Sequence, residues 1–238
     1  MARPARLSVG GELHCVLQSG HNRQAVFVDD VDRIAYLGML RDAARQYGVA
    51  VHAHALLDNE VHLLLTPADA LSIGRLMQSL GRRYVAAFNR RHGRSGTLWA
   101  GRFRSALIDG DALGIEAIVH VETRPLEAGL ATSAGDWAWS SAGHHLGRQR
   151  DPLITEHSSY WRLGNTPFER ELAHAHKLVA GNGDVLHEQF SRAVRQSLVV
   201  GAQPFAMGIG RFRTTLPERR SRGRPRLVFQ TVKKTVPN

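Results

Sequence analysis

Glu60 and His62 carry side chains that can bind a divalent metal ion, and they lie two positions apart in a strand-like run. In a β-strand, residues two apart face the same side of the sheet, so both would point to one face while Val61, Leu63 and Leu65 point to the other. A carboxylate and an imidazole so placed can hold Mg²⁺ or Mn²⁺ when a third ligand comes from elsewhere in the fold. The alternative is a polar strand face that meets solvent.

The preceding run, residues 49–57, also alternates between apolar and polar positions, and the turn-forming pair Asp58-Asn59 joins it to the next strand. This arrangement predicts a β-hairpin. His52 and His54 belong to the first strand of that hairpin. We expect both imidazoles on polar faces, available for chemistry.

The elements that position these side chains follow from hydrophobic spacing along the chain. The predicted order is a strand at residues 11–17, a helix at 30–47, the hairpin, a helix at 72–91, a strand at 101–108 and a helix at 111–123 that ends before Pro125. An order of β-α-β-β-α-β followed by a helix predicts an α+β fold, the ferredoxin-like split βαβ sheet with helices on one face.

Three domains are expected along the chain. Residues 1–145 form the sheet domain, residues 146–210 a C-terminal extension of small helical segments, and residues 211–238 a basic tail. The tail is rich in Arg, Pro, Thr and Lys, a composition that predicts disorder in the absence of a partner.

Cysteine usage and hydropathy exclude several classes of protein. The 238-residue chain has one cysteine, Cys15, so an internal disulfide framework and a multi-cysteine zinc site are excluded. No apolar run approaches the ~20 residues of a membrane span, and the first residues lack the apolar stretch of a signal peptide. These features favour a cytoplasmic protein with no membrane partner, associated with the nucleoid when it binds DNA.

The net charge of +10 is concentrated in two stretches. Residues 211–238 contain nine Lys or Arg and one acidic residue, so residues 1–210 carry only +2. Residues 82–104 contain no acidic residue and seven arginines: Arg82, Arg83, Arg90, Arg91, Arg94, Arg102 and Arg104. Single-sign blocks of this kind neutralise phosphates and release counterions, so they predict a salt-sensitive nucleic-acid partner. Generic solvated charge is the alternative.

Residues 220–226 of the tail, Arg-Ser-Arg-Gly-Arg-Pro-Arg, resemble an AT-hook. In that motif glycine lets the backbone approach the floor of the minor groove, and proline favours the extended form. The narrow groove of A·T-rich duplex attracts arginines. The expected DNA contacts are Arg222, Gly223, Arg224, Pro225 and Arg226.

Four blocks of the chain carry a family resemblance. They are Leu13-His14 in the first strand, the hairpin at residues 52–65, the stretch at 88–105, and residues 120–141. In this order they resemble the single-tyrosine HUH transposases, and among them the REP-associated tyrosine transposases with an insertion-sequence-200-like domain. HUH denotes a His-hydrophobic-His pair, which Glu60-Val61-His62 matches at all but one position.

The resemblance implies binding of single-stranded DNA hairpins and cleavage by a tyrosine hydroxyl, with a phosphotyrosine intermediate and rejoining of strands. It also implies a divalent metal, Mg²⁺ or Mn²⁺, that offsets charge on the scissile phosphate. In this chain Glu60 stands at the first histidine of the pair, His120 at the tyrosine and Arg124 at the third metal ligand. Arginine has hydrogen-bond donors and no acceptor, so it cannot ligate a metal.

Three functions remain open. The first is a transposase-type enzyme whose site is rebuilt from Glu60, His62 and His120, with His120 as the nucleophile. The second is a catalytically inactive descendant that binds DNA hairpins or A·T-rich duplex, for example as a regulator. The third is an RNA-binding protein, which we rank last because the sheet lacks an aromatic pair in its strands. The resemblance fits a homodimer or a monomer.

Other reactive side chains have plainer interpretations. Tyr84 is an alternative nucleophile, but it lies on the apolar stripe of its helix, which favours core packing. The pairs His144/His145 and His174/His176 have spacing that suits a metal but no partner cluster, so we expect them at a helix surface.

Overall fold

The computed structural model describes residues 8–209. Five strands form one sheet: β1 (Leu13–Ser19), β2 (Val49–Leu56), β3 (Glu60–Pro67), β4 (Arg104–Ile108) and β5 (Val199–Val200). Their order is β2-β3-β1-β4-β5, with antiparallel pairs except for the parallel pair of β4 and β5. Strands β1 to β4 have the predicted ferredoxin-like order, so the fold class is confirmed.

The helices follow the hydrophobic spacing of the sequence. They are α1 (Asp30–Tyr47), α2 (Ser72–Arg91), α3 (Gly110–Glu122), α4 (Arg124–Glu127), α5 (Ala142–His145), α6 (Ser158–Trp161), α7 (Pro167–Ala180), α8 (Gly183–Gln196) and α9 (Gln203–Gly208). Asp29 and Asp109 cap α1 and α3 by accepting hydrogen bonds from backbone N–H groups of their first turns. Gly48 ends α1 with a φ of 62°, a conformation that glycine adopts without strain.

Helices cover both faces of the sheet, which differs from the predicted cover on one face. Helices α1 and α2 pack on the face of Val16 and Leu63, as expected, whereas α3 and α8 pack on the face of Cys15 and Leu64. The reason is that β1 and β3 carry apolar side chains on both of their faces, so both faces need to be buried. Burial raises the pKa of the Cys15 thiol to about 12.

The segment after α4 closes both edges of the sheet. At one edge β5 pairs with β4, and α8 packs beside it. At the other edge β2 forms single bridges to Ser140 and Ile154. The C-terminal extension therefore packs against the sheet that carries the predicted site.

Candidate functional site

Glu60 and His62 lie on one face of β3, and their side chains contact each other. His62 Nε2 lies 3.3 Å from Glu60 Oε2, and Ser19 donates a 3.0 Å hydrogen bond to Glu60 Oε1. The hydrogen bond with His62 lowers the pKa of Glu60, so the carboxylate is ionised at neutral pH. Burial lowers the pKa of His62, although its bond to Glu60 acts in the opposite direction. A neutral imidazole that donates to Glu60 does not offer the same nitrogen to a metal.

His120 lies on α3 and is 2% exposed. Its ring packs with centroids 4.9 Å from His187 and 5.1 Å from Phe190, both on α8. Neither ring nitrogen has a hydrogen-bond partner among residues 8–209, and Nδ1 is fully buried. Burial lowers the pKa of His120 far below its ordinary value, and the neighbouring His62 and Arg124 lower it further. The imidazole is therefore neutral at physiological pH.

A small cavity lies between His120 and the pair Glu60 and His62, and helix α8 forms one of its walls. The cavity measures about 50 Å³ and is lined by Leu17, Glu60, His62, His120, Arg124, Ser191, Val194 and Arg195. A buried water needs at least ~10–15 Å³, so the space admits a few waters and no nucleotide. The spacing of Leu186, Phe190 and Val194 indicates an amphipathic helix, yet only the structure shows which surface it covers.

Arg124 is held by a second set of contacts. Its guanidinium forms an ion pair with Glu127 and lies 3.3 Å from His187 Nε2. His187 Nδ1 in turn lies 3.0 Å from Glu127 Oε1. Arg124, at the position that the resemblance assigns to the third metal ligand, is therefore part of an Arg–Glu–His group that links α4 to α8.

The residues at this position do not fit the divalent metal that the resemblance implies. A metal site needs three ligand atoms close together, and those of Glu60, His62 and His120 do not all lie within 4.8 Å of one another. Among the described residues, a group that meets this distance lies elsewhere in the fold. The guanidinium of Arg124 adds a positive charge where a cation would need an oxygen or nitrogen acceptor.

The group with that arrangement is Glu122, His145 and His174, all of which are 0% exposed. His145 Nδ1 lies 2.6 Å from Glu122 Oε1, and His174 Nε2 lies 2.7 Å from Glu122 Oε2. Ser141 donates a 2.5 Å hydrogen bond to Glu122 Oε1. The predicted surface location of His145 and His174 is wrong, because they supply the donors that this buried carboxylate needs.

Two observations favour a hydrogen-bonded network over a metal centre at Glu122. The 2.6 and 2.7 Å separations are those of charge-assisted hydrogen bonds. The outer nitrogens, His145 Nε2 and His174 Nδ1, have no partner in the described part of the chain, whereas metal-bound histidines donate their second N–H to an acceptor. Burial alone would raise the pKa of Glu122, but His145 and His174 outweigh it and lower that pKa.

The prediction of polar faces for His52 and His54 is wrong, because both side chains are buried. His52 Nδ1 lies 2.6 Å from the carbonyl oxygen of Thr155, and His54 Nε2 lies 2.8 Å from Asp151 Oδ2. These partners follow α5 in the chain and cover β2. Burial lowers the pKa of His52 to about 4. Both histidines therefore connect the extension to the sheet.

Four of the predicted DNA-binding arginines have free guanidinium groups. The side chains of Arg82, Arg90, Arg102 and Arg104 are exposed and form no hydrogen bond or ion pair within residues 8–209. Arg82 and Arg90 lie on α2, and Arg104 pairs in the sheet with Leu17, which lines the cavity described above. These four side chains are available to phosphates.

The other three predicted arginines have partners within the protein. Arg91 pairs with Asp29 at 2.5 Å and with Asp32 at 2.6 Å, and its hydrogen bond lowers the pKa of Asp29 to about 2. Arg83 lies 3.4 Å from an aspartate of α1. Arg94 donates a 2.8 Å hydrogen bond to a glutamine side chain and lies over the ring of Phe88. They hold α2 and the loop after it in place.

Two further predictions concern Tyr84 and the tail. Tyr84 is buried in the core, and its hydroxyl donates a 2.6 Å hydrogen bond to the carbonyl oxygen of Val26, so the preference for core packing is confirmed. The AT-hook-like residues Arg222, Gly223, Arg224, Pro225 and Arg226 lie outside the described residues. No helix within residues 8–209 has the length and apolarity that a membrane span requires.

Comparison with known proteins shows the class to which this fold and sheet belong. Residues 9–118 match the family model described as "Transposase IS200 like". The structure of a REP-associated tyrosine transposase bound to a REP hairpin is similar with a TM-score of 0.52 and 16% identity, over 65% of this chain and 91% of that chain. A candidate transposase from Deinococcus radiodurans R1 is 24% identical with a TM-score of 0.35, over 48% of this chain and 93% of that chain. No curated protein sequence matches the chain.

The family match confirms the resemblance drawn from the motifs. Residues 9–118 match the model of the IS200-like transposase family, and the REP-associated transposase has a similar fold. Glu60 and His62 lie within the matched residues. His120 and Arg124, at the other two substituted positions, lie just beyond them.

Proposed function

We propose that this transposase-type protein binds single-stranded DNA hairpins and does not cut them. One observation carries the proposal: a buried, neutral histidine, His120, stands at the position of the nucleophilic tyrosine and is covered by α8. The hydroxyl that would attack phosphorus is missing there, and the neighbouring cavity of about 50 Å³ is too small for a scissile phosphate and its flanking sugars.

DNA binding is supported by features outside that cavity. The similar REP-associated transposase is described as bound to a REP hairpin, which makes hairpin DNA the natural ligand class to test here. Arg82, Arg90, Arg102 and Arg104 offer unpaired positive charge on the same domain. Such side chains provide the sequence-independent, salt-dependent part of DNA affinity.

The test is a pair of gel assays with the full chain and labelled single-stranded hairpins taken from DNA that flanks its gene, with Mg²⁺ or Mn²⁺ present. We expect a retarded complex on a native gel, with neither a shortened strand nor a covalent protein–DNA band on a denaturing gel. Cleavage that is lost in His120→Ala or Glu60→Ala would instead establish an enzyme rebuilt around the substituted residues. Absence of any retarded complex would overturn DNA binding itself.

The free arginines can be tested against a matched neighbour. Arg90→Ala, Arg102→Ala and Arg104→Ala should each weaken hairpin binding and reduce the salt slope of the affinity by about one unit. Arg91→Ala removes the same charge from the next position of α2, but its guanidinium already pairs with Asp29 and Asp32. We expect its slope to change less and its thermal stability to fall more. Equal slopes for Arg90→Ala and Arg91→Ala would contradict the assignment.

The tail is a second proposed DNA-binding element, supported by its charge and its Arg-Gly-Arg-Pro sequence. Deleting residues 211–238 should reduce affinity for A·T-rich duplex more than affinity for hairpins. Equal losses would argue against binding in the minor groove. A protein that binds DNA without cutting it would act as a regulator. The alternative of RNA binding can be tested by competition between hairpin DNA and RNA of the same sequence for the protein.

Some finer expectations remain predictions. They are the division at residues 145 and 210, a location at the nucleoid that follows from the DNA partner, and a homodimer. Light scattering of the purified chain, free and bound to one hairpin, measures the number of protomers directly.

A further inference from the structure

A second and larger cavity lies on the other face of the sheet. Leu17 of β1 lines the small cavity beside His120, and the next residue, Gln18, lines this second one. The second cavity measures about 670 Å³ and lies between the start of α2 and residues 101–105. Its size falls within the ~300–1,000 Å³ of small-molecule sites. The substituted catalytic residues do not reach it.

The floor of this cavity contains an amide without a hydrogen-bond partner. Gln18 is only 7% exposed, and its buried Oε1 accepts no hydrogen bond from the described residues. Its Nε2 likewise has no partner among residues 8–209. Buried polar groups are nearly always paired, so an unpaired amide facing a cavity indicates a ligand that supplies the partner. An amide presents a donor and an acceptor side by side, the pattern that matches a nucleobase edge.

The rim of the cavity is suited to an anion. The backbone N–H groups of Ile73 and Gly74, in the first turn of α2, have no acceptor within the described part of the chain. That turn contains no acidic side chain. Asp69, just before it, accepts a 2.6 Å hydrogen bond from the N–H of Leu71 and attracts Arg75, but it does not engage the N–H groups of Ile73 and Gly74. Arg75 and Arg102 line the cavity, are exposed, and form no ion pair there. A helix N-terminus flanked by two guanidinium groups is a favourable place for a phosphate.

Apolar side chains complete the lining between the amide and the rim. Ile73 and Met77 face the cavity, and Leu71 lies at its edge. They offer a surface on which the flat face of a base can stack, a contact that does not depend on base identity.

We propose that this cavity binds one unpaired nucleotide, with its base edge on the Gln18 amide and its phosphate at the N-terminus of α2 between Arg75 and Arg102. The source of that nucleotide rests on the proposed function: it is an unpaired position of the bound DNA strand. A free nucleotide shares the same chemistry, so the experiment must separate the two sources.

The probe is a single-stranded hairpin with one unpaired 2-aminopurine, whose fluorescence reports stacking and which can be titrated with the full chain. Gln18→Leu keeps the size of the side chain and removes the amide, and we expect about 10-fold weaker binding.

Gly74→Glu places a carboxylate at the rim. A Cβ at Gly74 meets no atom within 4 Å, and an acidic residue in the first turn stabilises a helix. We therefore expect Gly74→Glu to raise Tm while it weakens binding about 10-fold.

Gly38→Glu is the matched control, because a Cβ at that position of α1 also meets no atom within 4 Å and the residue does not line the cavity. We expect it to change affinity less than about 2-fold, since the net charge change is the same but the phosphate is distant. A hairpin whose 2-aminopurine is base-paired should be insensitive to Gln18→Leu. Unchanged affinity in both Gln18→Leu and Gly74→Glu, with retained hairpin binding by the wild type, would overturn the cavity and leave the proposed function intact.

Failure of the proposed function has a different signature. If the wild type binds no hairpin, titration with deoxyadenosine monophosphate decides about the cavity alone. Binding of the free nucleotide that is lost in Gln18→Leu and Gly74→Glu would support the cavity as a site for free nucleotides. No binding of either probe would overturn both proposals.

Discussion

The two sides of helix α3 carry the same types of residue and build different things from them. His120 faces the sheet and α8, where Glu60 and His62 lie nearby. Glu122, two residues further and about 200° around the helix, faces α5 and α7 and meets His145 and His174. On the first side the carboxylate–histidine distance is 3.3 Å and a cavity remains, whereas on the second side the distances are 2.6 and 2.7 Å and nothing is exposed.

The two groups differ in burial and in the number of hydrogen-bond donors around the carboxylate, and not in the types of residue. These two properties decide whether a group is a structural network or a place where residues can be replaced. Every oxygen of Glu122 is satisfied by side chains from two other helices and a loop, so any change there leaves a buried group without a partner. The group around His120 touches a cavity and an exposed arginine, Arg195. Replacements on that side can be accommodated without loss of the fold.

The largest expected effect is the loss of the buried charge. Glu122→Gln replaces an acceptor oxygen by an amide donor that faces a histidine, and we expect a decrease of about 3–5 kcal/mol in the free energy of unfolding. Glu127→Gln is the control. This residue lies on α4 with the partly exposed partners Arg124 and His187, so its replacement should cost less than about 1 kcal/mol. Urea unfolding at pH 7 measures both. Similar losses for the two variants would break the comparison.

A smaller effect is expected from acid. The folded protein keeps the pKa of His120 far below its ordinary value because the ring is buried. The unfolded chain therefore binds a proton near pH 6.5 that the folded chain does not, so stability is lost as pH falls below that value. His120→Phe removes this proton uptake, loses no hydrogen bond, and should be more stable than the wild type at pH 5 by roughly 1–2 kcal/mol.

At pH 7.5 the unfolding free energy of His120→Phe should match that of the wild type within about 1 kcal/mol, since the ring keeps its contacts with Phe190. His145→Phe sharpens the contrast because it removes a donor to Glu122 and should destabilise the protein at both pH values. Parallel pH profiles for wild type and His120→Phe would show that folding leaves the pKa of His120 unchanged and would contradict this prediction.

The smallest expected effect is that of metal ions. Neither side of α3 presents a set of ligands with free acceptor atoms and supporting partners, so Mg²⁺, Mn²⁺ or a chelator should shift Tm by less than about 1 °C. If a metal ion does shift Tm, the variants Glu60→Ala and His174→Phe identify where it binds. A metal-dependent rise in Tm that disappears in Glu60→Ala would place the ion beside His120, and one that disappears in His174→Phe would place it at Glu122.

Local pattern was sufficient to predict much of the fold. Alternation in β3 places Glu60 and His62 on one face, and the caps and apolar spacing of α1 and α3 predict their limits. The resemblance of residues 120–141 to the family's motifs then identifies the substituted position of His120. These predictions rest on residues close together in sequence, where periodicity and turn chemistry are informative.

The parts that were not predicted depend on contacts between distant residues. His54 meets Asp151, and Glu122 meets His174, at separations of 97 and 52 residues. A histidine in an amphipathic segment has the same appearance in sequence whether it faces solvent or a carboxylate from another helix. The docking of α8 over His120 is of the same kind, because its apolar stripe fits any apolar surface of suitable shape.

The backbone contacts that the segment after α4 makes with β2 and β4 have a consequence for self-association. An open sheet edge exposes a row of backbone donors and acceptors that can recruit a strand from another molecule. Here Ser140 and Ile154 occupy one edge and β5 occupies the other. A chain shortened to the matched residues would leave both edges bare and would be prone to aggregate by strand addition. The segment after α4 therefore limits strand addition at both edges of the sheet, and we expect a dimer of the described part of the chain to form through its helices or loops.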